Sequence, residues 1–268
     1  MPSIHAPPTR REISPFQAQV GVITGLFIRE MITRFGHGRL GFVWLVAEPI
    51  MLSSMISLFH YVSGSHLPGD LPIFLFYALS YMPYMMFRSI VNRGANSIRA
   101  NISLLFHARI TLLDVMAARL MLEFMVCLTV IAFYLVVATI WFGEPPVNPA
   151  LFVLGLMLSA LLASGLAMIL SAAQVVCDWV EHLVHPFTYL MLPISAAFFM
   201  VGMMPQETRE ALLWNPLVHV HEMIRYAQWG DRITPYFNVG YVLLCIVLLN
   251  VLGLAGLRVA RPRLMLSD

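Results

Sequence analysis

The chain has 268 residues, of which 59% are apolar and 11% charged, with a formal net charge of +2. A soluble domain carries about 25% charged residues, so this composition excludes a soluble globular or disordered protein and reads as a polytopic membrane protein. All 16 basic residues are arginine, which excludes a Walker A phosphate loop and lysine Schiff-base chemistry in this chain.

The first predicted element is an amphipathic helix over 12–36. Ser14 and Pro15 are N-cap and N1 residues, and Phe16, Val20, Ile23, Phe27 and Met31 recur along one face. A helix of this kind is expected to lie in the inner membrane interface. Six apolar stretches long enough for membrane helices follow, near 42–62, 71–88, 116–142, 150–174, 184–203 and 237–257. Turn signals at His66–Asp70 and Gly143–Pro146 separate the first and third of these from their successors. Cys127, Cys177 and Cys245 are read as free thiols, because their number is odd and their spacings long.

Orientation follows from arginine. With both termini cytoplasmic, Arg10, Arg11, Arg29, Arg34, Arg39, Arg88, Arg93, Arg99, Arg109, Arg119, Arg258, Arg261 and Arg263 fall inside, and only Arg209, Arg225 and Arg232 fall outside. The expected fold is therefore all-α and integral to the membrane, with a cytoplasmic N-terminus and C-terminus.

The interface helix runs into Arg34-Phe35-Gly36-His37-Gly38-Arg39-Leu40-Gly41-Phe42-Val43-Trp44, and then Glu48-Pro49. Glycines between two arginines let the chain turn into the bilayer. An ionised Glu48 at that depth costs about 2–3 kcal/mol, so it must pair, protonate or face a cavity. The run from Arg34 to Pro49 resembles the opening motif of ABC-2 type polysaccharide export permeases, in particular the capsular polysaccharide branch of Gram-negative bacteria. The resemblance implies one ABC-2 transmembrane domain over 1–268 with the type V exporter fold. It implies a homodimer in the inner membrane, two cytoplasmic ABC ATPase subunits that bind ATP and Mg, and a lipid-linked polysaccharide as cargo. No cofactor or metal is expected in the chain itself. A co-polymerase-type adaptor of the inner membrane and periplasm, and an outer-membrane export protein, are implied further partners. An O-antigen or teichoic acid exporter is the alternative within the family, and an integral-membrane transferase acting on a lipid-linked glycan the alternative outside it.

Gly94 is expected to break the chain after the second span. Ile98, Ile102 and Leu105 then form an apolar stripe, with Asn96, Arg99 and Asn101 off it. In the resembled family a helix here, 94–106, couples to the ATPase, which would give Arg93, Asn96, Ile98, Arg99, Ile102 and Leu105 that role. Asp178, Glu181, His182 and His185 share a helical face. A metal site there is weighed against a polar turn and against a second, minor ATPase contact, to which Asp178 and Glu181 are assigned.

Tyr77, Tyr81 and Tyr84 recur on one face of the second span, and Arg88 continues the line. Tyrosines at mid-membrane depth need hydroxyl partners; a helix–helix hydrogen bond and a polysaccharide path are both open. Arg34, Arg39, Trp44, Glu48, Tyr77, Tyr81, Tyr84 and Arg88 are the candidate pathway residues, with the arginines meeting an anionic cargo. Asn215 and Pro216 start another helix. The run 215–225 resembles a family motif that implies a re-entrant pair, 206–213 and 216–229, at the periplasmic gate, with Asn215, Pro216, His219, Glu222 and Arg225 as its key residues. Glu222 and Arg225 are spaced to pair. Trp214 and Trp229 are expected in the outer aromatic belt. A zinc-protease reading fails because Arg225 stands where HExxH needs histidine.

Overall fold

The computed structural model describes residues 14–35, 39–64, 67–100 and 110–264, and among them there is no β-strand. The helices are α1 (Pro15–Phe35), α2 (Arg39–Val62), α3 (Ile73–Ala95), α4 (Ser97–Ala100), α5 (Leu112–Trp141), α6 (Pro149–Val176), α7 (Val180–Ile194), α8 (Gln206–Leu212), α9 (Pro216–Trp229) and α10 (Val239–Leu264). Among the described residues, three stretches are long and apolar enough to cross a membrane: Leu112–Trp141, Pro149–Val176 and Val239–Ala260; α2 adds a shorter apolar stretch, Val46–Val62.

Side-chain caps start several helices where the sequence has the residues for them. Thr111 and Asp114 form a reciprocal capping box on α5, which satisfies two orphan backbone donors. Asn148 accepts from the Leu151 N–H at the start of α6, ahead of Pro149. Asn215 accepts from the Leu217 N–H at the start of α9.

Helix α6 is the hub. It packs against α3, α9 and α10, and also touches α5 and α7. Small residues set these approaches: a Cβ at Gly155 would lie 2.6 Å from Ile224 of α9, and one at Gly253 would lie 2.6 Å from Met168. Between apolar helices, close packing and interhelical hydrogen bonds supply the cohesion that water supplies elsewhere. Asn250 of α10 donates to the Leu161 carbonyl of α6 (3.0 Å), and its own carbonyl accepts from Ser164 (3.1 Å).

Two sequence expectations change here. Gly94 does not break the chain; α3 continues through it and the turn comes at Asn96. Its missing side chain serves packing, since a Cβ would lie 2.6 Å from that of Ala167. The helix expected over 184–203 ends at Ile194. Its last carbonyls and those just beyond are taken by other groups: Leu192 by Ser195, Ile194 by Asn215 and Ala196 by Arg225. Ala196 lies in the left-handed region (φ 56°), which turns the chain back.

The connectors near 70, 144 and 232 meet at one end. Arg232 holds the Glu144 carboxylate at 2.6 Å and reaches the Asp70 carbonyl at 3.5 Å. The Val147 and Asn148 N–H groups donate to the Gln228 and Ala227 carbonyls. At the other end α1 lies along α5. Leu26 packs on Val115 and Ala118, Gln19 donates to Asp114, and Glu30 pairs with Arg119 (3.1 Å). Of the predicted apolar stripe of α1, Phe27 packs on this cluster and Ile23 and Met31 are half-buried, whereas Phe16 and Val20 at its start are exposed. Replacing Glu30 with glutamine is expected to loosen α1 alone. Hydrogen exchange in residues 15–35 should quicken several-fold while α6 keeps its protection; unchanged exchange in α1 would show that the apolar contacts suffice.

Candidate functional site

The α9 side of the candidate site is built on a buried ion pair. Glu222 and Arg225 are 2% and 1% exposed, and their side chains meet at 2.9 Å. Glu222 also accepts from the Val201 N–H (3.1 Å), and Arg225 donates to the Ala196 carbonyl (2.8 Å). The guanidinium carbon lies 5.2 Å from the centre of the Phe76 ring. Burial makes each charge costly, and the pairing with its extra hydrogen bonds offsets part of that cost, while Arg225 Nε is left buried without a partner. The pair therefore ties α9 to the segment after α7 and to the start of α3. His219 is fixed as well: Asn238 donates to Nδ1 (3.0 Å), which leaves Nε2 as the donor to the Leu213 carbonyl (2.8 Å). Tyr226 donates to Asp231 (2.9 Å), and that bond raises its phenol above the ordinary tyrosine value. Trp214 is exposed, as a belt residue would be, but Trp229 is buried and stacks on Phe76. The belt expectation for Trp229 is thus corrected: the last turn of α9 faces the core.

An aromatic chamber of about 410 Å³ lies between α2, α3 and α7. His60 stacks on Tyr77 with ring centres 3.8 Å apart, and Tyr81 lies parallel to Phe198 at 6.1 Å. Tyr84 donates to the Thr188 carbonyl of α7. Of the three tyrosines in line, Tyr84 thus makes the helix–helix bond, and Tyr81 and Tyr84 border the chamber while Tyr77 backs it through His60. His60, Tyr189 and Phe198 belong to the same wall and escaped the sequence reading. Tyr189 is met by Arg88, whose guanidinium carbon lies 3.7 Å from the ring centre, a favourable cation–π distance.

A second, polar chamber of about 480 Å³ adjoins the first, with Met85 and Arg88 common to both. Glu48 lines it together with Arg93, Asn96, Arg119 and His185. Of the expected fates of Glu48, facing a cavity is the one the structure displays.

The sequence pattern of the family described as "ABC-2 type transporter" matches residues 22–229. The chain belongs to the ABC-2 type transporter family. It is similar to the capsule polysaccharide export inner-membrane protein CtrC of Neisseria meningitidis, with 35% identity over 240 residues, covering 88% of this chain and 90% of that one. It is 31% identical to the capsule polysaccharide export inner-membrane protein BexB of Haemophilus influenzae over 234 residues, 87% of this chain and 88% of that one. It is 29% identical to the polysialic acid transport protein KpsM of Escherichia coli over 259 residues, 95% of this chain and 99% of that one.

The residues assigned to ATPase contact in this ABC-2 chain separate. Ile98 is buried at 2% exposure, and α4 packs on α5. The first residue of the expected docking stripe therefore anchors the loop to its own bundle and is not displayed to a partner. Arg93 pairs with Glu123 of α5 (3.1 Å) and its carbonyl accepts from Arg119 (2.9 Å). Asn96 caps α3 and lines the polar chamber. Asp178 and Glu181 stand at the α6–α7 turn, Asp178 exposed and Glu181 half-buried. Trp44 is exposed on α2. The side chains of Arg34, Arg39 and Arg99, and all of Ile102 and Leu105, lie outside the described residues. Glu30, Arg119 and Glu123 were missed. The face of α1 that carries Gln19 and Glu30 breaks the apolar periodicity, and only their opposite numbers on α5 give that break a meaning.

Proposed function

We propose that the chain is the permease subunit of an ABC exporter that moves lipid-linked capsular polysaccharide from cytoplasm to periplasm across the bacterial inner membrane. The similarity to capsule export inner-membrane proteins over nearly the whole chain carries this reading. Six spans, with both termini cytoplasmic, fit the arginine distribution. Gathering of the connectors near 70, 144 and 232 at one end supports the alternation that six spans require.

In this reading two copies form the transport unit, and two separate ATPase subunits bind ATP and Mg. The missing lysine agrees with an energy source outside this chain. The loop around 94–106 meets the ATPase, with Ile102 and Leu105 as its apolar contacts and Arg99 beside them; the 178–181 turn gives a second contact. Helices α8 and α9 close the periplasmic end as a re-entrant pair held by Glu222 and Arg225. Cargo comes in beside Arg34, Arg39, Trp44 and Glu48 and passes the tyrosine face of α3. An adaptor and an outer-membrane protein receive it.

Deleting the chain should leave finished polysaccharide in the cytoplasm, and the purified protein should retain a Walker-containing subunit. A chemically incomplete glycan outside the cell would instead favour the transferase. Ile102→Asp should lower export at least tenfold and release the ATPase, with the permease still inserted; normal export by that variant would overturn the coupling assignment.

A further inference from the structure

The two adjoining chambers differ in chemistry, and one residue stands between them. Arg88 borders both. The other two arginines of the polar chamber have carboxylates, Glu123 for Arg93 and Glu30 for Arg119. Against Arg88 the described residues place a tyrosine ring and no carboxylate within ion-pair distance. The polar wall around it offers further donors. The Asn92 carbonyl is taken by Thr188 (3.2 Å), which leaves its amide N–H groups for the chamber. The Ser89 oxygen accepts from Arg93 (3.4 Å), which leaves its hydroxyl proton. Two acceptors complete the wall: the Glu48 carboxylate, and the Asn96 carbonyl oxygen, which is buried without a hydrogen-bond partner.

A buried acceptor without a donor is costly, and half-buried Arg88 is the cation of this wall that no carboxylate among the described residues neutralises. A simple anion would answer Arg88 but not Asn96 or Glu48. A ligand with both acid oxygens and hydroxyls answers all of them. The aromatic chamber next door adds flat faces with polar edges at His60, Tyr81 and Tyr189, suited to the C–H face and rim hydroxyls of a sugar ring.

We propose that the two chambers form one site for an acidic sugar unit, a sugar carboxylate or sugar phosphate, with its oxyanion on Arg88 and its ring in the aromatic chamber. This rests on the export reading and names the part of the cargo that this permease grips. The grip is weak by design of its parts: a single unpaired guanidinium and stacking contacts release as readily as they bind, which suits a polymer that moves through in steps.

Saturation-transfer NMR tests this on the full-length permease with its ATPase, in phosphatidylcholine nanodiscs. The probes are glucuronate, glucose 1-phosphate and methyl glucoside. Binding is expected for the two acids in the millimolar range, at least tenfold weaker for the neutral glucoside. Arg88→Gln should weaken acid binding at least tenfold, and Arg88→Lys, which keeps the charge, by no more than about threefold. Asn96→Leu should weaken both acids through the lost acceptor while leaving the bundle folded, so a poorly inserted Arg88 variant does not end the test. Equal binding of neutral and acidic sugars, or full binding by Arg88→Gln, overturns the proposal. Displacement of the sugars by phosphatidylglycerol in the nanodisc would assign the site to a lipid headgroup and also overturn it. Because the readout is binding, its failure leaves capsule export by the deletion strain to judge the export reading separately.

Discussion

Replacing Arg225 with methionine should cost about 3–5 kcal/mol, the penalty for leaving one partner of a buried ion pair without the other. Glu222 is 2% exposed, so its carboxylate would have no water to turn to. The Ala196 carbonyl would lose its donor, and the Phe76 ring its cation. The segment between α7 and α8 is held to α9 by these bonds, by the one from Val201 to Glu222 and by the packing of Ala196 and Val201 on Val218. It should therefore detach before the apolar helices separate. The thermal midpoint of the purified permease in detergent is the measurement, and Arg225→Met should fall well below wild type. Adding Glu222→Leu should return part of the loss, because the uncompensated charge is gone; the Val201 N–H then lacks its acceptor, at about 1–3 kcal/mol. An unchanged midpoint for Arg225→Met would mean that the pair is solvated in the working protein.

Gly165→Leu should be the second severe change. A Cβ at this position would lie 2.8 Å from the Leu249 Cβ and 2.9 Å from the Asn250 backbone nitrogen. Backbone on α10 cannot swing aside as a side-chain tip does, so α6 and α10 must part. Overpacking of this kind costs typically about 1–3 kcal/mol. Separation also breaks the bonds that Asn250 makes to Leu161 and Ser164, about 1 kcal/mol each. Gly25→Leu is the matched control. Nothing lies within 4 Å of a Cβ there, and leucine is the better helix former. Size-exclusion profiles in detergent should show aggregation for Gly165→Leu and a single peak for Gly25→Leu. Similar profiles would mean that the α6–α10 contact does not limit stability.

Local signals carried far in this chain. Runs of apolar residues, the Ser14-Pro15 and Asn215-Pro216 starts, and the Glu222–Arg225 spacing all reside within a few residues, and α1 and α9 begin where those starts stand. Membership of the ABC-2 family was legible in the Arg34–Pro49 run for the same reason. Gly94 shows the limit. In sequence a glycine after two arginines reads as a break, and in the bundle it is the point where α3 touches Ala167.

The polar residues divide along the same line. Tyr84 finds the Thr188 carbonyl 104 residues away, Arg232 finds Glu144 at a separation of 88, and Gln19 finds Asp114 at 95. No periodicity encodes such partners, because each depends on how two helices cross and how closely small residues let them approach. Composition and spacing alone were enough for a helical membrane protein, for the order of its helices and for the lack of a Walker A loop in this chain, since hydrophobicity, capping and a missing lysine are properties of the residues themselves. Packing was needed to tell that Ile98 anchors and is not displayed, that Trp229 is core, and that Arg88 rather than Arg93 or Arg119 lacks a carboxylate among the described residues. A charge becomes available for a ligand only when nothing in its own fold has neutralised it.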